Sequence, residues 1–253
     1  MTLYNPANSP EKNLNVLANN PYPGRLVVIG TLGDLTVQAY AIMGRSEGSR
    51  NRVLSLQDNV VSTEIFDSSL PVGDPSLTIY DAMRQIGDVH VVSNGNQTNT
   101  LAEYLRSGKT VQEALDVTDH EPDAPNFTPR ITGFYNFDAD DNSPQFGLSV
   151  ISRGVDGGSV RKLYTDQDIL FPNEDDDFRV SYAVHTYNGD GNPLPSFDQA
   201  PFALPVHESA HDMAEMIWEN LNPDNRVAVA AKVIALSGGI EFAIINRHYP
   251  KNF

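Results

Sequence analysis

The stretch that decides the fold is RLVVIGTLGDLTVQAYAIM, residues 25–43. Its first part, residues 25–29, is a short apolar run typical of a buried β-strand. In its second part, residues 35–43, apolar residues recur at every second position, which is the period of a strand. Gly33-Asp34 between them indicates a hairpin turn, although the order Gly-Asp is less favoured than Asp-Gly. The sequence therefore predicts two adjacent strands joined by a tight turn.

Outside this stretch, strand patterns outnumber helical ones. Further strands are predicted at residues 60–66, 89–93, 130–137, 145–152, 179–187, 226–236 and 240–248. Helical spacing occurs at residues 98–107, 110–116 and 206–221. Thr110 and Glu113 form a capping-box pattern at the start of the second helix. Several strands are consecutive, which favours an α+β fold with stacked antiparallel sheets and helices outside.

The segments without clear periodicity are interpreted as arms and loops. Residues 1–22 are rich in Asn and Pro and predict an extended arm or loop, so we divide the chain into an arm, 1–21, and a single domain, 22–253. The acidic run 174–177 and the Gly/Asn/Pro stretch 188–195 are interpreted as solvated loops. A calcium site in either remains an alternative, but neither has the full EF-hand pattern.

Composition narrows the classes of protein. The 253 residues include 33 acidic and 17 basic side chains, a formal charge of −16. Non-specific binding to nucleic acid or to an anionic membrane needs a surplus of Lys and Arg, so we expect neither partner. No apolar run approaches the ~20 residues of a membrane span. The polar N-terminus lacks signal-peptide features, and the absence of cysteine excludes disulfides and thiolate metal sites, so we expect a cytoplasmic protein.

One motif suggests zinc. Residues 207–211 read HESAH and match H-E-x-x-H on a predicted helix, where two histidines four residues apart can share a metal. However, Asp212 follows the second histidine, and no third ligand stands at a recognised spacing. Pro205, Glu208 and Asp212 are also typical of a helix start, because negative charge favours that end of the helix dipole. We therefore prefer the structural interpretation and predict no metal.

Three segments combine residue types suited to binding an anionic ligand. The first, 43–52, carries Arg45, Arg50 and Arg52 after a strand, and Arg forks hold phosphate oxygens in bidentate geometry. The second, 93–98 (SNGNQT), offers backbone N–H groups and short polar side chains between a strand and a helix. The third, 121–131 (EPDAPNFTPRI), is a Pro-rich loop with two acids, an amide and an Arg. Each segment alone is also explained as a solvated face, a turn or a connecting loop; together, at strand ends, they predict a site.

These segments also carry a family resemblance. Tyr22-Pro-Gly-Arg25, Gly44-Arg-Ser…Asn51-Arg52, Asn94-Gly95…Thr98 and Glu121-Pro-Asp-Ala-Pro…Thr128-Pro-Arg-Ile131 occur in the order found in archaeal-type IMP cyclohydrolases. The chain resembles that family from about residue 22 to about residue 153. The resemblance implies an α+β fold like the N-terminal nucleophile hydrolases, a four-layer αββα sandwich of helices around two antiparallel sheets. It also implies a homo-oligomer.

The resemblance further implies an activity. The family closes 5-formamidoimidazole-4-carboxamide ribotide to IMP with loss of water, and this chemistry needs no cofactor. By resemblance, Arg45, Tyr80 and Glu121 match positions linked to catalysis. Arg45 would stabilise charge on the formyl oxygen, Glu121 would move protons, and Tyr80 would orient the reacting groups. The predicted substrate-binding residues are Arg52, Asn94, Gly95, Thr98, Asn126 and Arg130.

Two alternatives to this enzyme stay open. One is a non-catalytic purine-nucleotide-binding relative that keeps the arginines but has lost turnover. Glu121 distinguishes it from an enzyme, because a binding protein needs cations for phosphate but no group for proton transfer. The other alternative is a zinc hydrolase using residues 207–211. The polar arm and the C-terminal third also depart from what the family leads us to expect.

Overall fold

The protein is built on two antiparallel β-sheets. The computed structural model describes residues 8–70, 74–139, 144–166 and 179–249. In these residues the first sheet comprises β1 (Arg25–Leu32), β2 (Leu35–Met43), β10 (Arg179–His185), β11 (Phe202–Leu204), β12 (Arg226–Ala235) and β13 (Ile240–Asn246). The second comprises β3 (Arg52–Gln57), β4 (Val60–Ile65), β5 (Asp81–Ile86), β6 (Val89–Ser93), β7 (Arg130–Asn136), β8 (Phe146–Arg153) and β9 (Ser159–Thr165).

The order of the strands shows how the predicted hairpin is used. The first sheet runs β11–β10–β1–β2–β12–β13, so the β1–β2 hairpin is its centre, while the second runs from β3 to β9 in chain order. Leu32 pairs with Leu35, which leaves Gly33-Asp34 as a two-residue turn, and Gly33 has a φ of 56°. The hairpin prediction is confirmed, with Gly at a position where a side chain would be strained.

The two sheets pack face to face through the hairpin. β1 contacts β7, and β2 contacts β6. Polar groups bridge the interface as well: the Tyr135 hydroxyl donates to Gly30 O at 2.7 Å, and Gln38 Nε2 donates to His90 O at 3.0 Å. Nearly every residue of β1 and β2 is buried because the second sheet covers one face of the hairpin and further packing covers the other.

The predicted helices are present, with shifted ends. They are α3 (Gln97–Arg106), α4 (Val111–Asp116) and α5 (Ala210–Glu219). In α4 the capping box is confirmed, since Glu113 N donates to Thr110 Oγ1 at 3.2 Å and Thr110 N donates to Glu113 Oε2 at 2.8 Å. α5 packs on β2, β12 and β13, whereas α3 packs on β5 and β6. Each sheet therefore has its own helix.

The prediction of a helix across residues 207–211 is wrong at its start. Ser209 is the N-cap of α5, its hydroxyl accepting from Asp212 N at 3.0 Å, so His207 precedes the helix and does not share a helical face with His211. His211 lies 3.8 Å from Glu215 in the next turn. Across the described residues, no group of three or more His, Asp or Glu side chains is arranged to hold a metal ion.

The prediction of an extended arm over residues 1–22 is also wrong where the structure describes it. α1 (Pro10–Ala18) is a helix with Ser9 as N-cap and Pro10 in its first turn, both standard start signals. Val16 and Leu17 are buried in the core, and Asn13 donates to the backbone of β11 at 3.1 Å. The helix was not predicted because the segment is rich in Asn, and its packing against the core stabilises it. The division of the chain at residue 22 stays a prediction.

The other connecting segments agree with the sequence only in part. Residues 188–195 form an irregular loop as predicted, while the acidic run 174–177 lies outside the described residues. Strands β3, β5, β9 and β11 were not predicted. A short helix, α2 (Glu47–Arg50), and a 3-10 turn (Pro75–Leu77) complete the described elements. None of the described helices has the length and apolar character needed to cross a membrane.

Candidate active site

A cavity of about 580 Å³ lies at one end of the two sheets, where several predicted segments meet. Arg25 begins β1, the loop 44–51 follows β2, Asn94 follows β6, and Thr128 precedes β7. These positions are distant in sequence. They meet because neighbouring antiparallel strands begin and end at the same edge of a sheet. Of the predicted site residues, the wall contains Arg45, Arg52, Asn94, Glu121 and Asn126.

The arginine cluster divides into three environments. Arg45 is partly exposed; its guanidinium forms an ion pair with Asp190, donates to Gly191 O at 2.9 Å, and stacks 5.0 Å above the Tyr22 ring. Arg50 instead donates to the backbone of Gly44 and to the Asn225 side chain, at 3.0 Å each, so it fixes the loop. Of these three arginines, Arg45 and Arg52 line the cavity and Arg50 does not.

Arg52 is the buried member of the cluster. Its side chain is 4% exposed, and Nε and Nη2 both donate to Ser49 O at 3.0 Å. Burial, followed by the charge of nearby Arg25, lowers the pKa of Arg52 to about 10. The guanidinium therefore lies in an environment that penalises its charge, and a ligand anion would relieve that penalty.

Arg25 is a wall residue that the sequence analysis did not list among the site residues. Its Nη1 donates to Met43 O at 2.8 Å, and its guanidinium lies near the Tyr80 phenol, which raises its pKa. Tyr80 and Tyr40 in turn share a hydrogen bond of 2.6 Å between their hydroxyls. Burial acts against the charge of Arg25, but the surrounding phenols outweigh it and raise its pKa. Tyr80 itself is buried and lies behind the wall.

Glu121 is the titratable acid of the site. It is 7% exposed and lies 3.8 Å from Arg130 Nη1, which also donates to Gln97 Oε1 at 2.7 Å. Burial raises the pKa of Glu121 to about 7, although the charge of Arg130 opposes the shift. Near neutral pH the carboxyl group therefore populates both protonation states and can accept or deliver a proton.

The segment 93–98 mainly supports the cavity wall from behind, and of its residues Asn94 lines the cavity. Asn94 accepts from Ile131 N at 2.8 Å and donates to Pro129 O at 2.9 Å, so its amide joins two loops. A Cβ on Gly95 would lie 2.2 Å from Arg130 Nη1, so only glycine leaves room for that guanidinium. Thr98 is fully buried and donates to Asp81 O at 2.8 Å. The structure does not bring Thr98, Gly95 or Arg130 to the cavity wall.

The opposite wall comes from the Pro-rich loop and from the end of β10. Asn126 Oδ1 accepts from Leu194 N at 3.1 Å, and Asp123 accepts from Thr128 N at 2.6 Å. Tyr187 completes this side through a hydrogen bond to the Thr128 hydroxyl. The sequence did not predict this side of the cavity wall. Residues 188–195 were interpreted as a solvated loop, and no local pattern links them to the loop after Glu121.

These features define an α+β protein with a cation-lined cavity and one acid suited to proton transfer. Comparison with known proteins agrees: residues 22–238 match the family described as IMP cyclohydrolase-like protein. Because this match covers most of the chain, the protein belongs to the IMP cyclohydrolase-like family.

Individual relatives carry the same family name. A protein of Haloquadratum walsbyi named IMP cyclohydrolase is 32% identical over 116 residues, 44% of this chain and 55% of the relative. One of Methanosphaera stadtmanae is 30% identical over 120 residues, 46% and 58%. One of Methanopyrus kandleri is 34% identical over 116 residues, 44% and 57%. The chain matches a little over half the length of each of these relatives.

Proposed function

We propose that this protein is an IMP cyclohydrolase, which closes 5-formamidoimidazole-4-carboxamide ribotide to IMP with loss of water. Family membership supports the reaction class, and the relatives above carry that name. The observation that carries the proposal is Glu121, a buried acid with a pKa near 7 in a cavity that also contains Arg45 and Arg52. A site for holding an anion needs the arginines, whereas an acid tuned to neutral pH serves proton transfer.

The reaction consists of two proton-coupled steps. The carboxamide nitrogen attacks the formyl carbon, and Glu121 accepts the proton that the nitrogen loses. Arg45 stabilises the negative charge that develops on the formyl oxygen, as an oxyanion hole does. Glu121 then returns that proton to the oxygen, which becomes a hydroxyl group. In the second step Glu121 takes the N–H proton of the former formamido nitrogen and passes it to the hydroxyl, so that water leaves as a C=N double bond forms between that nitrogen and the formyl carbon. Holding both groups in one cavity removes the entropy cost of bringing them together.

The remaining predicted residues have supporting roles in this proposal. Arg52 and Asn126 line the cavity and bind the ribotide, while Asn94, Gly95, Thr98 and Arg130 hold the wall and the Glu121 carboxyl in place. Tyr80 lies behind the wall, so in this proposal it is a positioning residue that supports Arg25 rather than a group that touches the substrate.

We also propose the αββα arrangement of the N-terminal nucleophile hydrolases for the fold. The two packed antiparallel sheets and the separate helices on each of them support it. Assembly into a homo-oligomer and a cytoplasmic location stay predictions.

The test is a direct assay of the full chain with the formamido ribotide, following the appearance of IMP. We expect turnover well above the uncatalysed rate. If IMP binds tightly but none forms above that rate, the chain is the non-catalytic purine-nucleotide-binding relative instead. The arginines support this second candidate as well as the first, because both functions need cations to hold the ligand.

A further inference from the structure

The loop 188–195, which follows β10, reaches the edge of the cavity and contacts Arg45. The Arg45 Nη1 atom donates to the Asp190 carboxylate and, at 2.9 Å, to Gly191 O. Among the described residues these two groups are the hydrogen-bond acceptors of the Arg45 guanidinium, and both are bound by the same nitrogen. A guanidinium group has five N–H donors, so Nε and Nη2 keep theirs for other partners.

An aromatic ring holds the same guanidinium as well. The Arg45 Cζ atom lies 5.0 Å from the centre of the Tyr22 ring, within the range of a cation–π contact. Tyr22 is stacked on Tyr187, the residue directly before the loop, with the ring centres 6.0 Å apart and the planes 17° from parallel. Arg45 is therefore held both by a ring face and by the loop.

Hydrogen bonds within the loop region fix the position of Asp190. The Asn188 side chain donates to Ser196 O at 3.0 Å and to the Asp198 carboxylate at 2.8 Å, which closes the loop at its base. Gly191 N donates to Asp190 Oδ1 at 3.0 Å and orients that carboxylate. An ordered loop thus presents the acid to Arg45.

The same loop contacts the segment that carries Glu121. Leu194 N donates to Asn126 Oδ1 at 3.1 Å, and Asn126 belongs to the Pro-rich loop that begins at Glu121. Leu194 also lines the cavity. One loop therefore connects the segment with the proposed charge-stabilising group to the segment with the proposed proton-transfer group.

The contact between Arg45 and Asp190 contributes little to stability. Their side chains are 35% and 56% exposed, and an ion pair in such a position adds little to the free energy of folding. A long arginine side chain that is not held samples many rotamers, and ordering it during the reaction has an entropy cost. A contact that orders it beforehand removes that cost from the chemical step.

We propose that Asp190 is a positioning residue, which holds the Arg45 guanidinium so that its free N–H donors are directed at the reacting group in the cavity. Asp190 itself is not part of the cavity wall, so it acts through Arg45. The effect on turnover rests on the function proposed above, in which Arg45 stabilises charge on the formyl oxygen. The hold on Arg45 is a property of the free protein.

The first test is the steady-state kinetics of IMP formation by the full chain. Asp190→Ala should lower kcat about tenfold and change KM by less than about twofold, because Arg45 remains present but loses its orientation. Asp190→Asn, which keeps an oxygen acceptor without the charge, should recover part of kcat. Asp198→Ala is the matched control, because it removes another exposed acid of the same region outside the cavity wall, and its kinetics should be close to wild type.

A double-mutant cycle separates an effect through Arg45 from a general effect on the loop. Arg45→Ala should lower kcat further than Asp190→Ala does. In the Arg45→Ala background, Asp190→Ala should cause no additional loss, because the group that it orients is absent. The proposal is overturned by equal losses in both backgrounds, by an equal loss in Asp198→Ala, or by a kcat of Asp190→Ala at or above that of the wild type.

The second test observes Arg45 without turnover. Phenylglyoxal modifies accessible guanidinium groups, and mass spectrometry of the peptides gives the rate at each arginine. In the ligand-free protein, Arg45 should react about threefold faster or more in Asp190→Ala than in the wild type, because the pairing carboxylate is lost. Arg106, at an exposed position on α3, should react equally in both proteins. Circular dichroism and the thermal midpoint should show that the variants fold as the wild type does.

Together the two tests distinguish a failure of the positioning role from a failure of the proposed function. If the wild type forms no IMP and Arg45 still reacts faster in Asp190→Ala, the proposed function fails and the hold on Arg45 stands. If IMP forms but Asp190→Ala has wild-type kinetics, the positioning role fails and the proposed function stands. An unchanged rate of Arg45 modification would show that Asp190 does not hold the guanidinium, whatever the kinetics.

Discussion

Two clusters of basic groups lie where the two sheets meet, and the cost of their charges is relieved in different ways. At the cavity, Arg25 and Arg52 line open space. In the closed interface, Lys232 and His90 are 1% and 4% exposed, and their Nζ and Nδ1 atoms are 2.6 Å apart. Burial lowers the pKa of both closed groups, and the charge of Lys232 lowers that of His90 further. Lysine and histidine can lose a proton to relieve this cost, but arginine cannot.

The difference shows how a burial penalty becomes a binding site. A buried lysine or histidine can become neutral by losing a proton, so it needs no anionic ligand to offset its charge. Arg52 stays charged although burial penalises its charge, so an anion that binds beside it relieves that cost, and the cost becomes part of the affinity for the anion. The following predictions test this comparison, beginning with the largest expected effect.

Replacing Glu121 should remove most turnover. Glu121→Gln keeps the size and one oxygen acceptor but cannot transfer a proton, so kcat should fall about 10²- to 10⁴-fold with KM changed much less. Steady-state kinetics of IMP formation measure both constants. A large rise in KM with kcat unchanged would instead make Glu121 a binding residue.

Replacing Arg52 should show the opposite pattern. Arg52→Ala removes a buried charge that contacts the loop and, in the proposed function, the ligand, so KM should rise about tenfold to a hundredfold, corresponding to about 1.4–3 kcal/mol of binding. The value of kcat should stay within a few-fold of wild type. Arg106→Ala on the exposed face of α3 is the control, and a loss confined to kcat would contradict the assigned role.

Replacing the buried Lys232 should change the stability of the protein without changing the cavity. The folded-state pKa of Lys232 is lowered to about 8 from 10.5, so its cost to stability is fully present below pH 8 and fades as the pH rises toward 10.5. Lys232→Met should therefore stabilise the protein at pH 7 by at most about 3 kcal/mol, with the gain shrinking above pH 8.

Chemical unfolding at pH 7 and pH 10 checks this expectation, with the exposed Lys12→Met as control. A destabilised Lys232→Met at both pH values would show that the hydrogen bond to His90 outweighs the burial cost. The comparison between the two clusters would then fail on its closed side.

The smallest effect is expected at the H-E-x-x-H sequence. His211 is more than half exposed and His207 precedes the helix, so replacing either by Ala should change stability by less than about 0.5 kcal/mol. IMP formation should be unaffected. Stoichiometric zinc in protein purified without a histidine tag, lost in both variants, would restore the metal interpretation.

Some strands could be predicted because their formation leaves a pattern in the local sequence. The hairpin 25–43 and the strand 89–93 were predictable because continuous burial leaves a readable apolar pattern. α1 was missed although Ser9 and Pro10 signal a helix start, because its polar residues outweigh the two that reach the core. β9 was missed because most of its residues are exposed or half-buried and leave little apolar pattern.

The site was predictable in its parts but not in its assembly. Arg45, Arg52 and Glu121 stood out because clustered cations are conspicuous in so acidic a chain and because the family motifs point to them. The pairing of Arg25 with Arg52 arises where the start of one sheet meets the start of the other. The contact between Arg45 and Asp190 joins residues 145 positions apart. Such contacts are set by packing and leave no local signal.

The measurement that tests the account most directly is the pH dependence of kcat/KM for IMP formation. If Glu121 accepts the proton of the attacking amide, it must be ionised in the free enzyme, so kcat/KM should rise with pH through about 7. The Glu121→Gln variant should retain little activity and lose this ionisation. A wild-type profile that is flat from about pH 5.5 to about pH 8.5 would contradict the assignment of proton transfer to Glu121. The same rise with pH in the variant would contradict it as well.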